Sequence, residues 1–247
     1  MIPANASDWA NYIAPLWLLV GWIGYAQFAK KRAKESSHSL SSILHHYRID
    51  WMKRVLAREQ RISDASLMSN LEKNVNFFAS TSLLVLAGLV TALSAADQTF
   101  TAFEALPFAH VVSANAFKFM LLLLCFIFIY AFFTFTWSLR QYNFCSTLLG
   151  AAPMPEDKGV SPQQREVYAF YTAKIMDQAA HSYNYGLRSY YFALSVLAWF
   201  VSPWLFMAAV VTVITILYRR EFCSKPLAAL QHILGSSSST SHDKQIP

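Results

Sequence analysis

The sequence predicts an all-α, polytopic membrane protein with about four hydrophobic segments and amphipathic cytoplasmic helices. Three observations predict it. Only 14% of the 247 residues are charged, against 55% hydrophobic and 15% aromatic, well below the roughly 25% charge of a water-soluble domain. Mean hydropathy is +0.31, and several runs almost free of charge are long enough to cross a hydrocarbon core as helices. The net charge of +6 is concentrated between those runs, as in cytoplasmic loops that face anionic lipid, and not as in a nucleic-acid surface. Seven glycines, nine prolines and three scattered cysteines exclude a low-complexity chain, a disulfide framework and a thiolate metal site.

The first span, residues 12–28, is followed at once by Lys30, Lys31, Arg32 and Lys34. A basic cluster after the apolar run marks a retained span with its N-terminus outside, where a cleaved signal peptide would carry its charge in front. The second, 77–96, holds no charge and ends where Asp97 opens an outer loop. The third, 117–137, carries nine aromatics and is closed by Arg140; its one cation, Lys118, sits at the outer end and extends along its own stem to the headgroups. The last apolar stretch, 189–218, is too long for one upright span and holds Ser202 and Pro203 near its middle. It reads as one Pro-kinked helix or as a hairpin with a re-entrant turn at Ser202 and Pro203, the single helix being favoured.

Between the spans, residues 47–73 carry apolar positions at three- and four-residue intervals, an amphipathic helix in two pieces with a cap at Ser63 and Asp64. Its basic residues Lys53, Arg54, Arg58 and Arg61, with Trp51, form a candidate lipid-facing helix; packing on a second helix, residues 163–180, is the equal alternative. Ser161 and Pro162 start that second helix in the favoured order. Residues 1–234 therefore form a single membrane domain, and 235–247, beginning Gly-Ser-Ser-Ser-Ser, a disordered tail.

No phosphate-binding glycine loop, nucleophile elbow or zinc-protease helix is present, so the chain reads as a non-enzyme without cofactor or metal. None of the seven histidines, His110 and His38 among them, lies inside a span where it would ligate haem. The polar residues are bunched at the inner ends of the spans. Asn74, Asn76, Ser80 and Thr81 enter the second, Arg140, Gln141 and Asn143 leave the third, and Asn184 and Arg188 enter the last. Groups at one depth in an apolar medium must pair with each other, with backbone, or with a wetted cavity. Interhelical hydrogen bonding is the simplest use; the functional one is an inner mouth where Arg140 and Arg188 hold an oxyanion. The small residues Gly88, Ala92 and Ala96 of the second span offer a close helix contact.

Three stretches carry a family resemblance. They are RIDWMKRVLAREQRISDASLMSNLEKNVNFFASTSLLVLAGL (Arg48–Leu89), FTWSLRQYNFCSTLLGAAP (Phe135–Pro153), and NYGLRSYYFALSVLAWFVSPWLFM (Asn184–Met207) with YRREF after it. Over about residues 10–228 the chain resembles domain of unknown function 599, multi-pass membrane proteins of bacteria and plants. The resemblance implies a multi-span α-helical fold and no assigned activity or catalytic residue.

The resulting expectation is an inner (plasma) membrane protein, N-terminus outside, acting as an oligomeric channel or transporter-like component for a small anionic or amphiphilic solute. The alternative is a non-catalytic scaffold that binds anionic lipid headgroups or a protein partner through its basic helices. Its expected partners are the lipid bilayer, anionic lipid and a second copy of itself, with no nucleic acid.

Overall fold

The computed structural model describes residues 6–35, 39–105 and 113–242, and every element among them is a helix. These are α1 (Ala6–Glu35), α2 (Leu40–Leu56), α3 (Ile62–Ser94), α4 (Ala96–Glu104), α5 (Ala114–Gly150), α6 (Pro162–Trp199), α7 (Pro203–Phe222) and α8 (Lys225–His242). Three stretches are long and apolar enough to cross a membrane: Trp9–Arg32, Ile62–Ser94 and Ala114–Gly150. Large apolar side chains such as Leu16, Val20, Leu84, Phe126, Phe133, Leu194 and Val211 are exposed on the outside of the bundle. That is the pattern of a protein whose solvent is lipid.

The long helices α5 and α6 lie antiparallel and run the length of the molecule. At about 1.5 Å per residue the 37 residues of α5 rise about 55 Å, more than a hydrocarbon core requires. The excess builds a second layer. Near one end, Met120, Leu124 and Phe128 of α5 pack with Phe192, Val196 and Trp199 of α6, with Leu18 of α1 and with Phe206 and Val210 of α7. Toward the other end, Phe135, Tyr142 and Cys145 of α5 and Ala173 and Met176 of α6 pack with α2 (Met52, Val55) and the first half of α3 (Met68, Val75). This second end carries α2 and the last turns of α1 with Lys30 and is called the basic end below.

Several sequence expectations change. The amphipathic stretch 47–73 is not a free-standing pair of helices: α2 ends at Leu56, and α3 starts at Ile62 and runs unbroken into the second span. The N-cap is Arg61, and Asp64, expected at the cap, is 1% exposed and receives Trp51 Nε1 at 2.7 Å and Arg58 Nη1 at 2.8 Å. Residues 163–180 likewise continue without a break to Trp199 in α6, whose first turn is closed by Ser161 and Gln164 in a reciprocal capping box. The second span ends two residues early, where α3 stops at Ser94 and α4 begins at Ala96. Lys118 pairs with Asp97 of α4 at 2.8 Å. The segment expected to be disordered from residue 235 is helical as far as His242, continuing a helix that starts at Lys225 and is tied to α2 by Tyr47 Oη donating to Leu230 O at 3.2 Å. The rest of that tail, 243–247, and His38 and His110 lie outside the described residues.

The favoured single kinked helix over 189–218 is wrong. Helix α6 ends at Trp199, Ser202 is extended (φ −162°, ψ 139°) and Pro203 is the first residue of α7. Proline has no N–H for the helix to continue and its ring clashes with the preceding turn, so it is most at home at a helix start. The two arms then fold back on each other: Trp199 stacks on Phe206 at 5.0 Å, and Arg220 Nη1 donates to Tyr191 Oη at 2.6 Å. Nor does the turn sit halfway along the bundle. Phe200 packs on Phe117 at the start of α5 (5.5 Å), and Trp199 Nε1 donates to Asn11 Oδ1 at 2.9 Å near the start of α1. The hairpin is therefore as tall as its neighbours. Its first arm is longer than hydropathy suggests because α6 crosses below Ser189, through Tyr183, Asn184, Tyr185 and Arg188.

Candidate functional site: a polar cavity at the basic end

Five helices converge on a cavity of about 560 Å³ at the basic end. Helix α1 contributes Ala29 and Lys30; α2 contributes Ser41, Ser42 and His45; α5 contributes Gln141. Helix α6 supplies Asp177, Gln178, His181, Ser182, Asn184, Tyr185 and Arg188, and α7 supplies Glu221. On α6 the positions 177, 181, 184, 185 and 188 recur at three- and four-residue spacing, so one stripe of that helix faces the cavity.

Both carboxylates already have donors. Asp177, 8% exposed, receives Arg48 Nη1 at 2.5 Å and the imidazole of His45, which ties α2 to α6. Glu221 Oε1 receives the Ser41 hydroxyl at 2.6 Å and the Ser41 amide at 3.2 Å, which ties α2 to α7. Gln141 Oε1 receives Ser182 Oγ at 3.0 Å, between α5 and α6. Desolvation holds the His181 imidazole below its ordinary value, Asp177 pulling the other way.

Arg188 differs from these. Its guanidinium carbon lies 5.3 Å from the Tyr25 ring and 5.4 Å from the Tyr185 ring, and among the described residues no carboxylate pairs with it. Stacking on aromatic faces holds a guanidinium in place while leaving its N–H edge available. An Arg in a recess, positioned by rings and not neutralised by an acid, is suited to a planar oxyanion.

Of the polar residues that sequence brings to one depth, the structure gathers Gln141, Asn184 and Arg188 in this cavity. The others lie elsewhere. Asn74, Asn76, Ser80 and Asn143 are exposed on the outer faces of α3 and α5. Thr81 donates to Phe77 O of its own helix, and Arg140 is exposed with its guanidinium over the Phe144 ring at 5.8 Å. Interhelical bonding uses neighbouring residues instead: Ser82 Oγ meets Tyr190 Oη at 3.0 Å, and the buried Ser138 donates to Ala179 O at 2.7 Å. Sequence reasoning missed Lys30, His45, Asp177 and Glu221. The only available signal was acidic residues on otherwise apolar helix faces, which does not say what they face.

The basic residues of α2 and the loop after it are mostly occupied within the protein. Lys53 pairs with Glu166 at 3.1 Å, Arg58 with Asp64, and Arg61 donates to the carbonyls of Val55, Ala152 and Pro153. Trp51 donates to Asp64, while Arg54 is exposed. The apolar face of α2 lies on α3, α5 and α6. Among the described residues no group of three or more His, Cys, Asp or Glu is placed to hold a metal ion.

One family matches the chain over residues 13–226, and its description reads "Protein of unknown function, DUF599". No curated protein and no solved structure matches.

Proposed function

Since the chain belongs to the DUF599 family and has helices apolar enough to span a membrane, we propose that it is a membrane carrier or channel component that holds a small anionic solute in the cavity at its basic end. The observation that carries this reading is Arg188, stacked between Tyr25 and Tyr185 beside a 560 Å³ recess and paired with no carboxylate among the described residues. Around it Ser42, Gln178 and Asn184 offer neutral donors and Lys30 a second cation, while Asp177 is matched by Arg48 and His45 and Glu221 accepts from Ser41. On this reading the α6–α7 hairpin crosses the membrane in full. That gives five crossings, with α1 entering from outside and the basic end in the cytoplasm, as the Lys30 to Lys34 cluster favours. The scaffold alternative finds less support, because Trp51, Lys53, Arg58 and Arg61 already have partners inside the protein.

The test is binding of inorganic phosphate to the full chain in lipid nanodiscs, followed by phosphate uptake into vesicles containing the protein. Arg188→Gln should weaken binding by about tenfold or more, the loss of one charge-assisted contact. Arg140→Gln, on the exposed face, should leave it unchanged. Equal binding by wild type and Arg188→Gln would overturn the reading.

A further inference from the structure

A second recess is lined by Tyr25, the residue whose ring Arg188 covers. It is an apolar slot of about 410 Å³ along the seam of α1 and α7, with Val20, Gly24 and Phe28 on one wall and Ile214, Thr215 and Tyr218 on the other. Two glycines one turn apart create it. At Gly21 a Cβ would lie 3.0 Å from Val210 Cγ1 and 3.2 Å from Ile214 Cδ1, so this glycine lets the helices touch. At Gly24 a Cβ would meet nothing within 4 Å, so beyond the contact the helices leave a gap.

The slot and the cavity are neighbours on the two sides of Tyr25, with no lining residue in common. Tyr25 lines the slot, and its ring is one of the two on which Arg188 stacks. One turn further along α1, Ala29 lines the cavity; on α7, Tyr218 lines the slot and Glu221, three residues on, lines the cavity. The polar group of Thr215 is satisfied by Val211 O of its own helix, which leaves the slot wall apolar apart from the tyrosine hydroxyls. An apolar slot and a polar chamber thus adjoin at the Tyr25 ring, with the Arg188 guanidinium on its far side. The two recesses complement the two halves of an amphiphile, provided that the Tyr25 side chain turns aside to join them.

We infer that the site takes a single-chain anionic phospholipid, its alkyl chain in the α1–α7 slot and its phosphate on Arg188, entering sideways from the bilayer. The inference rests on the reading of the cavity as an anion site and names its ligand class. A phosphate head suits the chamber better than a bare carboxylate, because donors from α2 and α6 (Ser42, Gln178, Asn184) ring the space beyond Arg188.

The experiment compares long-chain lysophosphatidate with glycerol phosphate as ligands of the full chain in phosphatidylcholine nanodiscs. Wild type should bind the lipid at least about tenfold more tightly than its chainless analogue, since each buried methylene adds affinity. Gly24→Leu, or Thr215→Leu on the facing wall, should remove that advantage and leave glycerol phosphate binding intact. Arg188→Gln should weaken both ligands. The two slot variants guard against either one failing to fold, which thermal melting would show. If glycerol phosphate binds as tightly as the lipid, or both slot variants bind the lipid normally, the inference falls while the anion reading stands. If the slot variants lose the lipid but Arg188→Gln does not, the slot holds ordinary bilayer lipid, and the inference is again overturned. If neither ligand binds wild type, both readings fall.

Discussion

Gly186 of α6 lies directly against the Phe135 ring of α5. A Cβ there would lie 2.5 Å from Phe135 Cε1 and 2.6 Å from its Cζ. Phe135 is fully buried, stacked on Phe78 at 5.5 Å and edged by Tyr183 and Tyr190, so the ring has no room to withdraw. Overpacking a filled core costs about 1–3 kcal/mol. Gly186→Ala is therefore expected to lower stability by about that amount in a thermal melt of the detergent-solubilised protein, with part of the loss recovered in the double variant Gly186→Ala, Phe135→Leu. Equal stability of Gly186→Ala and wild type would mean that α5 and α6 do not approach this closely. The glycine is visible in the sequence as part of the run NYGLRSYY. Its purpose is not, because Phe135 lies 51 positions away in the chain.

Among the helices, α2 depends most on single polar contacts. It lies across α6 with Met52, Val55 and Leu56 inward and is pinned by Asp177, which takes both Arg48 and His45. Removing one partner of a mostly buried pair leaves the other charge uncompensated, which costs up to about 3–5 kcal/mol when burial is complete. Arg48 keeps 20% of its side chain exposed, so about 1–3 kcal/mol is expected for Asp177→Asn. The loss should be local. Hydrogen exchange should quicken across Leu40–Leu56 while the half of α5 and α6 around Phe128 and Phe192 stays protected. Uniform destabilisation would show instead that Asp177 supports the whole bundle. The amphipathic period of α2 was legible in sequence, and so was the start of α6 at Ser161. What was not legible is that α3 and α6 each run through both layers of the bundle as one helix. A polar residue that looks like a boundary, Asp64, turns inward once Trp51 of α2 and Arg58 of the loop supply donors, while its neighbour Ser63 stays exposed.

For the whole molecule the α6–α7 hairpin decides the topology. It returns α7 to the end that carries Lys30 and Ser41, so Cys223 at the end of α7 lies opposite Gln98 of α4. Cys223 is exposed, whereas Cys125 and Cys145 are buried. A membrane-impermeant maleimide applied to intact cells should label Gln98→Cys, and should label Cys223 only after the membrane is opened. Labelling of both in intact cells would mean that the last segment crosses once and that the hairpin does not exist in the membrane. The same fold puts the cavity lined by Arg188 and Lys30 at one end of the bundle and the turn at Ser202 at the other.

By itself the sequence determined the material and the parts of this protein: helices, their apolar stripes, the start of α6 at Ser161, and the stretches that carry the family resemblance, while at Ser202 and Pro203 it left a kink and a break both open. Each of these depends on residues within a turn or two of one another, where spacing and hydropathy act directly. Only the tertiary structure decided which arms fold together and which charges face which. Asp177 meets residues 129 and 132 positions away, and Glu221 meets Ser41 across 180. A guanidinium left without an acid is a property of everything packed around it. The reason is physical: a helix repeats every 3.6 residues whatever surrounds it, whereas the partner of a polar group is set by which helices share a seam.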